Sequence, residues 1–444
     1  MFKKTACYLS LCLLAAPLVA LAEDPALAPA SALQLTLTQL AVACPALSPR
    51  LDASAQLLLQ AFYRQNGEQA VWSAEHRLAS LQAQLAQVID DGLDPERYRL
   101  PVSSAAGDEL CTDIAISHQY LQALQDLHYG RLSQSRFEPL WRAQPPADDR
   151  QAALLAMAVP GLDNLAGAFD QARPNLEQYR NLRQVYARER QQPLPSWQAV
   201  AGGPLLRPDM QDKRVPELAQ RLYLGGFLPS PEVSADNTYS SDLVSAVKNF
   251  QLSHSLQADG VIGAGTMAAL NVPYTQRVEQ IRINLERARW LSANLPANYL
   301  LVNLAGYELL LFKDNNLNWR TDIIIGKIDA KTPLFKSKLK YVVVNPTWTV
   351  PRSISTEIIN HLRKDPDYLQ KKHFKVVEAS GTPVDARGID WHSMTRKNFP
   401  YWFVQGPGED NSLGLVKFIF PNQYSIYLHD TPSKNLFEQT NRAF

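Results

Sequence analysis

Tyr341-Val342-Val343-Val344-Asn345 decides the fold class of the C-terminal third of this chain. The run is short, apolar and rich in β-branched residues, which is the composition of a strand. Three similar runs precede it: Tyr299-Leu300-Leu301-Val302-Asn303-Leu304, Glu308-Leu309-Leu310-Leu311-Phe312 and Asp322-Ile323-Ile324-Ile325-Gly326. Turn signals such as Lys313-Asp314-Asn315-Asn316 separate them. Strands at this spacing predict an antiparallel sheet or barrel from about Tyr299 onward. Lys336, Lys338 and Lys340 alternate, which reads as the solvated face of a further strand, or else as a patch that attracts an anionic polymer.

Upstream the period changes to that of helices. Leu57, Leu58, Ala61 and Phe62, then Leu78, Leu81, Leu85 and Val88, recur at three- and four-residue intervals. Asp91-Gly92 stops the second helix, and a third runs through about Thr112–Tyr129 to Gly130. Gln144-Pro145-Pro146-Ala147 and Gln192-Pro193-Leu194-Pro195 read as loops. Residues 23–200 therefore form a helical domain whose stripes are core. A compact helical module follows at about Asp209–Tyr274. Within it, Asp259-Gly260 suits a turn with positive φ and Thr266 is placed to cap a last helix. Residues 275–298 read as a linking helix, with Ile281, Leu285 and Ala288 on one face.

Composition agrees with several domains. A chain of 444 residues exceeds what one core usually organises, and 46% apolar with 20% charged residues excludes disorder. The formal net charge of +1 argues against a dedicated nucleic-acid partner. Lysine usage marks a boundary. Between Glu23 and Asn298 the only lysines are Lys213 and Lys248, whereas thirteen follow Asn298.

The first 22 residues read as a secretory signal. Lys3 and Lys4 precede an apolar run from Leu9 to Ala22 that closes on Ala20-Leu21-Ala22. A membrane anchor fits less well because the run is interrupted, and Leu11 before Cys12 does not suit a lipoprotein site. No later segment reaches spanning length. Removal of the signal leaves Cys44 and Cys111, either bridged in an oxidising compartment or buried as free thiols.

Several phrases carry a resemblance. Ala246-Val247, Phe250-Gln251, Asp259-Gly260-Val261-Ile262-Gly263 and Thr266-Met267-Ala268-Ala269-Leu270-Asn271 look like the peptidoglycan-binding domain appended to many cell-wall enzymes. The C-terminal region resembles the YkuD-type L,D-transpeptidase catalytic domain. The phrases are Ile325-Gly326-Lys327 with Thr332-Pro333, Asn345-Pro346-Thr347-Trp348-Thr349-Val350-Pro351, Gly406-Pro407-Gly408 with Asn411, Leu413-Gly414-Leu415-Val416-Lys417-Phe418-Ile419-Phe420-Pro421-Asn422 and Tyr427-Leu428-His429-Asp430-Thr431-Pro432. Asp91-Gly92-Leu93-Asp94-Pro95 and Tyr129-Gly130-Arg131 are similar to the scaffold of the large periplasmic subgroup. The resemblance implies a multidomain α+β protein with a helical scaffold domain, a three-helix peptidoglycan-binding module and a mostly β catalytic domain at 299–444.

It also implies chemistry. A cysteine thiolate attacks the carbonyl of the third residue of a peptidoglycan stem, D-alanine leaves, and an amine takes the acyl group. His429 matches the base, with Tyr427 on the same side of a strand spanning Tyr424–His429, and with Asp430, or a backbone carbonyl as is often found in the family, orienting the ring. An insertion at about 352–403, helical over Ser355–Lys364, implies a lid, with Trp391, Tyr401 and Trp402 lining the cleft and Asn411 beside them. The family's Ser-His-Gly-Cys phrase follows that histidine, and Leu436 to Phe444 do not contain it. The chain is therefore expected to be cut before its nucleophile, to be inactive alone, and to expose apolar surface beside the Tyr424–His429 strand. Stem peptides and glycan are the implied partners. No cofactor or metal is assigned, since His254, His361, His373 and His392 have no metal-ligand spacing. A non-catalytic wall-binding protein is the alternative, and a carboxypeptidase with water as acceptor shares the same signature.

Overall fold

The computed structural model describes residues 31–101, 109–137, 147–193, 198–292, 295–327 and 331–444. The signal reading of residues 1–22 and the loop at Gln144–Pro146 lie outside these. Two compact units divide the chain, Met1–Ser73 with Pro101–His118 and Ala74–Leu100 with Gln119–Phe444. The helical region expected as one domain is thus shared between them.

In the first unit, Asp52 caps the helix Ala53–Gln65 by accepting from Ala55 N at 2.7 Å. Its buried face is Leu59, Phe62 and Tyr63, while Leu57 is exposed, so the apolar stripe is rotated from the one expected. Asp113 is buried and fully engaged. It accepts from Tyr63 Oη (2.6 Å), Val71 N (3.0 Å) and Trp72 N (2.8 Å). Three donors offset much of the cost of a buried carboxylate. Cys44 and Cys111 form a disulfide with Cα atoms 5.6 Å apart.

In the second unit, helix Glu75–Gln87 buries Leu81 and Leu85, and a short turn follows that ends at Gly92 with φ +73°. Helix Tyr274–Ser292 docks against Glu177–Glu189. Its buried face is Leu285, Glu286, Arg289 and Trp290, a more polar face than expected, with Ile281 and Ala288 only partly covered. Arg289 explains why. Its guanidinium donates to the carbonyl of Asp91 (2.8 Å), to Tyr179 Oη (2.9 Å) and to Glu286 (2.7 Å). Glu286 in turn accepts from Leu132 N at 2.7 Å. Gly130 has φ +86°, and a Cβ there would lie 2.6 Å from the Trp290 ring. The Asp91-Gly92 and Tyr129-Gly130-Arg131 phrases are therefore the surfaces on which this helix seats.

The module between them has three helices, Val215–Leu224, Ser241–Ser253 and Ala264–Leu270. They enclose Leu218, Leu222, Tyr239, Val247, Phe250, Ile262 and Leu270. Gln251 is buried and ties its phrases together. Its amide donates to Asp259 Oδ1 (3.1 Å), Val261 O (2.9 Å) and Thr266 Oγ1 (3.1 Å) and accepts from Gly260 N (2.9 Å). Gly260 has the expected positive φ, +74°. Thr266 does not cap the last helix. Gly263 holds that position, and Thr266 lies inside, bonded to Gln251.

Among the described residues the C-terminal region holds ten strands: β1 Tyr299–Asn303, β2 Glu308–Lys313, β3 Asn316–Asp322, β4 Tyr341–Val344, β5 Trp348–Thr349, β6 Phe374–Val377, β7 Pro383–Val384, β8 Trp402–Gln405, β9 Val416–Ile419 and β10 Leu428–His429. They form three antiparallel sheets ordered β1-β2-β3, β10-β9-β4 and β5-β8-β6-β7. Asp314 (φ +50°) and Asn315 (φ +61°) form the hairpin turn between β2 and β3. The turn then recruits the polar segment Asn316–Asp322 as a strand. The apolar triplet Ile323-Ile324-Ile325 expected there instead makes one isolated bridge, Ile325 to Ala443. Residues 331–340 form no strand, so Lys336, Lys338 and Lys340 lie on an extended surface segment. The strand expected at Tyr424–His429 is reduced to Leu428–His429, since Tyr424 sits in a turn and Ser425 has φ +56°. Exposed apolar side chains do occur in this sheet, but on its opposite edge, at Tyr341, Val342 and Val344 of β4, with Leu415 before β9.

The insertion forms a sub-structure of its own. Helix Ser355–Lys364 packs Ile358, Ile359 and Leu362 onto Val376, Phe399 and Phe403 of the sheet β5-β8-β6-β7 and its connections. Arg363 pins the connection by donating to the carbonyls of Trp391 (3.1 Å) and Met394 (2.7 Å).

Candidate functional site

Strand pairing assembles the site. The β9–β10 register sets Lys417 opposite His429, and directly opposed residues share a face. Tyr427 precedes His429 by two residues, and their rings lie 5.7 Å apart. Lys417 Nζ lies 3.6 Å from the centre of the Tyr427 ring, a cation–π contact. His429, Tyr427 and Lys417 thus form one cluster.

The ring of His429 is held from behind. Its Nδ1 bonds the backbone carbonyl of Asp430. A carbonyl only accepts, so Nδ1 carries the proton and Nε2 is left as the basic nitrogen. His429 keeps an exposed surface, yet partial burial lowers its pKa, the Asp430 carbonyl opposes this, and Lys417 adds to it. The imidazole is accordingly neutral at neutral pH, the form a general base needs. Burial raises the Tyr427 hydroxyl, in part offset by the Trp348 indole N–H.

Asp430 orients the ring through its main chain. Its carboxylate points the other way, accepting from Leu415 N (3.1 Å) and pairing with Lys434. Burial would raise its pKa, but Lys434 and the N–H groups of Leu415 and Thr431 outweigh burial and hold it below the usual carboxylate value. Gly414, at φ +60°, passes so close to this carboxylate that a Cβ would collide with it. The Leu413-Gly414-Leu415 phrase is therefore shaped around Asp430.

The other expected site residues are placed differently. Asn411 is buried, and its amide donates to the carbonyls of Pro346 (3.1 Å) and Gly406 (2.7 Å) while accepting from Leu413 N (2.8 Å). Its hydrogen-bonding capacity goes to joining three of the phrases. Trp391 and Tyr401 pack within the core of the insertion, Trp391 against Phe399 and Phe403. Trp402 is covered by the Arg352 guanidinium at 4.1 Å. Gln405, absent from the sequence reading, acts like Asn411. It donates to Lys372 O (2.9 Å) and Asp410 O (3.1 Å) and accepts from Ser412 N (2.9 Å). Among the described residues, no group of three or more His, Cys, Asp or Glu side chains is placed to hold a metal ion, and no helix is long and apolar enough to cross a membrane.

Comparison with known proteins agrees with this architecture. Residues 297–443 match the family model of the YkuD L,D-transpeptidase catalytic domain. Residues 57–185 match a scaffold domain, and residues 211–270 match the family described as "Putative peptidoglycan binding domain". A Haemophilus influenzae protein named "Putative L,D-transpeptidase" is 33% identical over 217 residues. That stretch is 47% of this chain and 44% of the relative, so the match spans less than half the length of either.

Proposed function

Because the chain carries an L,D-transpeptidase catalytic domain behind a scaffold domain and a peptidoglycan-binding domain, we propose that it works on peptidoglycan stem peptides. The chemistry is acyl transfer from the third stem residue. His429 takes the proton of a cysteine thiol, the resulting thiolate adds to that residue's carbonyl, the C–N bond to the terminal residue breaks, and the departing amine takes the proton back from the imidazolium. An acceptor amine then attacks the thioester, gives up a proton to His429 and releases the thiolate. His429 is the base in this reading, and the observation that carries it is the Asp430 carbonyl on Nδ1, which leaves Nε2 as the basic nitrogen.

The cysteines qualify the reading for these 444 residues. Cys44 and Cys111 are joined to each other, and a disulfide supplies no thiolate. Cys7 and Cys12 fall in the stretch read as a signal, so we infer for the remainder of these residues binding of stem peptides and glycan without turnover. That observation favours the second reading, a non-catalytic wall-binding protein built on the same domains. The disulfide and the Ala20-Leu21-Ala22 signal support export to an oxidising compartment, the periplasm.

Two measurements test this. The purified chain is sedimented with peptidoglycan sacculi, and its intact mass is recorded after incubation with a tetrapeptide stem and with a carbapenem. Co-sedimentation with unchanged mass is expected. Failure to co-sediment contradicts wall binding, and a covalent adduct contradicts the inactivity of these 444 residues.

A further inference from the structure

Lys417 is the cation of the site, and among the described residues no ion pair neutralises it. It is half-buried on β9 with its ammonium against the Tyr427 ring. Asp430, one residue beyond Lys417's register partner His429, pairs instead with Lys434 and Leu415 N. Among the described residues, no carboxylate lies within ion-pair distance of Lys417. Burial lowers its pKa, as expected for an ammonium that has lost water without gaining a counter-ion. Most lysines avoid this state by reaching into solvent. Cross-strand pairing with His429 holds this one at the face where the base works.

From this arrangement we propose that Lys417 receives the C-terminal carboxylate of the stem peptide and so selects the bond that is broken. The inference rests on His429 being the base. In that role Nε2 stands beside the nitrogen of the leaving residue. The carboxylate of that residue is two bonds from the nitrogen, roughly 2.5 Å away by standard backbone dimensions. Cβ atoms of directly opposed strand residues are about 5 Å apart, which a lysine side chain spans. A base on the leaving nitrogen and a cation on the adjoining carboxylate define an exopeptide site, in which only a terminal residue fits. Tyr427 holds the ammonium in place, and its ring gives the peptide an apolar wall. Lys417 is thus a specificity residue.

The test measures binding by the 444-residue chain of a tetrapeptide stem and of the same peptide with its C-terminal carboxylate amidated. Lys417→Met and Lys417→Arg variants are compared with the unaltered chain, circular dichroism serving to check their folding. The unaltered chain should bind the acid about tenfold more tightly than the amide. Lys417→Met should abolish the difference and Lys417→Arg should keep most of it. Equal binding of acid and amide by the unaltered chain overturns the proposal and leaves stem binding intact. Discrimination that survives in Lys417→Met likewise overturns it. No binding of either peptide overturns the stem-peptide reading itself. Should Lys417→Met not fold, the Lys417→Arg variant and a Tyr427→Leu variant, which removes the ring that seats the ammonium, decide the matter. Arg retaining discrimination while Leu weakens it supports the assignment, and the reverse contradicts it.

Discussion

The imidazole of His429 is oriented by the backbone carbonyl of Asp430, while the Asp430 carboxylate holds a different segment, accepting from Leu415 N. The two functions of one residue are therefore separable. Asp430→Asn keeps the carbonyl and an acceptor for Leu415 N and loses the charge that pairs with Lys434 and attracts the Thr431 N–H, the exposed pair contributing about 1 kcal/mol or less. Nitrogen NMR of the His429 ring should show the proton still on Nδ1 in this variant. A switch of the proton to Nε2 would show that the carboxylate, not the carbonyl, sets the tautomer.

The depressed pKa of His429 has a sign that can be checked. Below about pH 6.5, the ordinary histidine value, the unfolded chain binds a proton on this residue more readily than the folded chain does. Stability from this group is therefore present above that pH and declines as pH falls through it. An NMR titration of the His429 ring should give a midpoint below the ordinary histidine value of about 6.5, because burial disfavours the charged ring. Lys417→Met should move the midpoint upward by removing a like charge. A midpoint above the ordinary value would place a carboxylate, not Lys417, as the dominant neighbour.

Gln251 makes four bonds inside the peptidoglycan-binding module. Gln251→Leu keeps the volume and leaves the buried Gly260 N without its acceptor, while Asp259 still accepts from Val261 N and Thr266 still reaches Val261 O. The expected loss is about 2 kcal/mol, the cost of a buried N–H left without its partner. Hydrogen exchange of the module amides, measured in the whole chain, reports it locally. Unchanged protection at Gly260 and Val261 would mean that the turn does not depend on Gln251.

Gly130 meets Trp290 where the helix Tyr274–Ser292 docks. Gly130→Ala adds a Cβ in a left-handed backbone position and against an indole, and should cost about 2 kcal/mol or more. The helix precedes β1 in the chain, and Tyr299 of β1 packs in the same cluster as Leu285. Proteolysis between this helix and β1 should therefore accelerate in the variant. An unchanged cleavage rate would show that the helix is held without that contact.

Much of this architecture was legible because the phrases are local solutions to local problems. Asp259-Gly260 needs a left-handed residue, Asp314-Asn315 needs two, and Ser355–Lys364 carries its apolar stripe openly. β3 was not legible, because its residues are polar and its pairing follows from the turn before it rather than from hydrophobicity. The sheet of the insertion escaped for a related reason: its strands are two to four residues long, too short for alternation to register. The site was half legible. His429 and Tyr427 share a strand and a period of two, but Lys417 joins them only through cross-strand register, which sequence spacing does not contain. Asn411 shows what a phrase alone does not contain. Its burial and its three backbone partners, which fasten the loops together, come only with the fold.

The most direct test of the account is chemical-shift mapping of the 444-residue chain with a tetrapeptide stem. The amides of Lys417, Leu428 and His429 and the ring of Tyr427 should shift together and saturably. Saturable shifts confined to residues 211–270, with the β9–β10 face unmoved, would contradict the account and leave the chain a wall-binding protein whose catalytic fold holds no peptide.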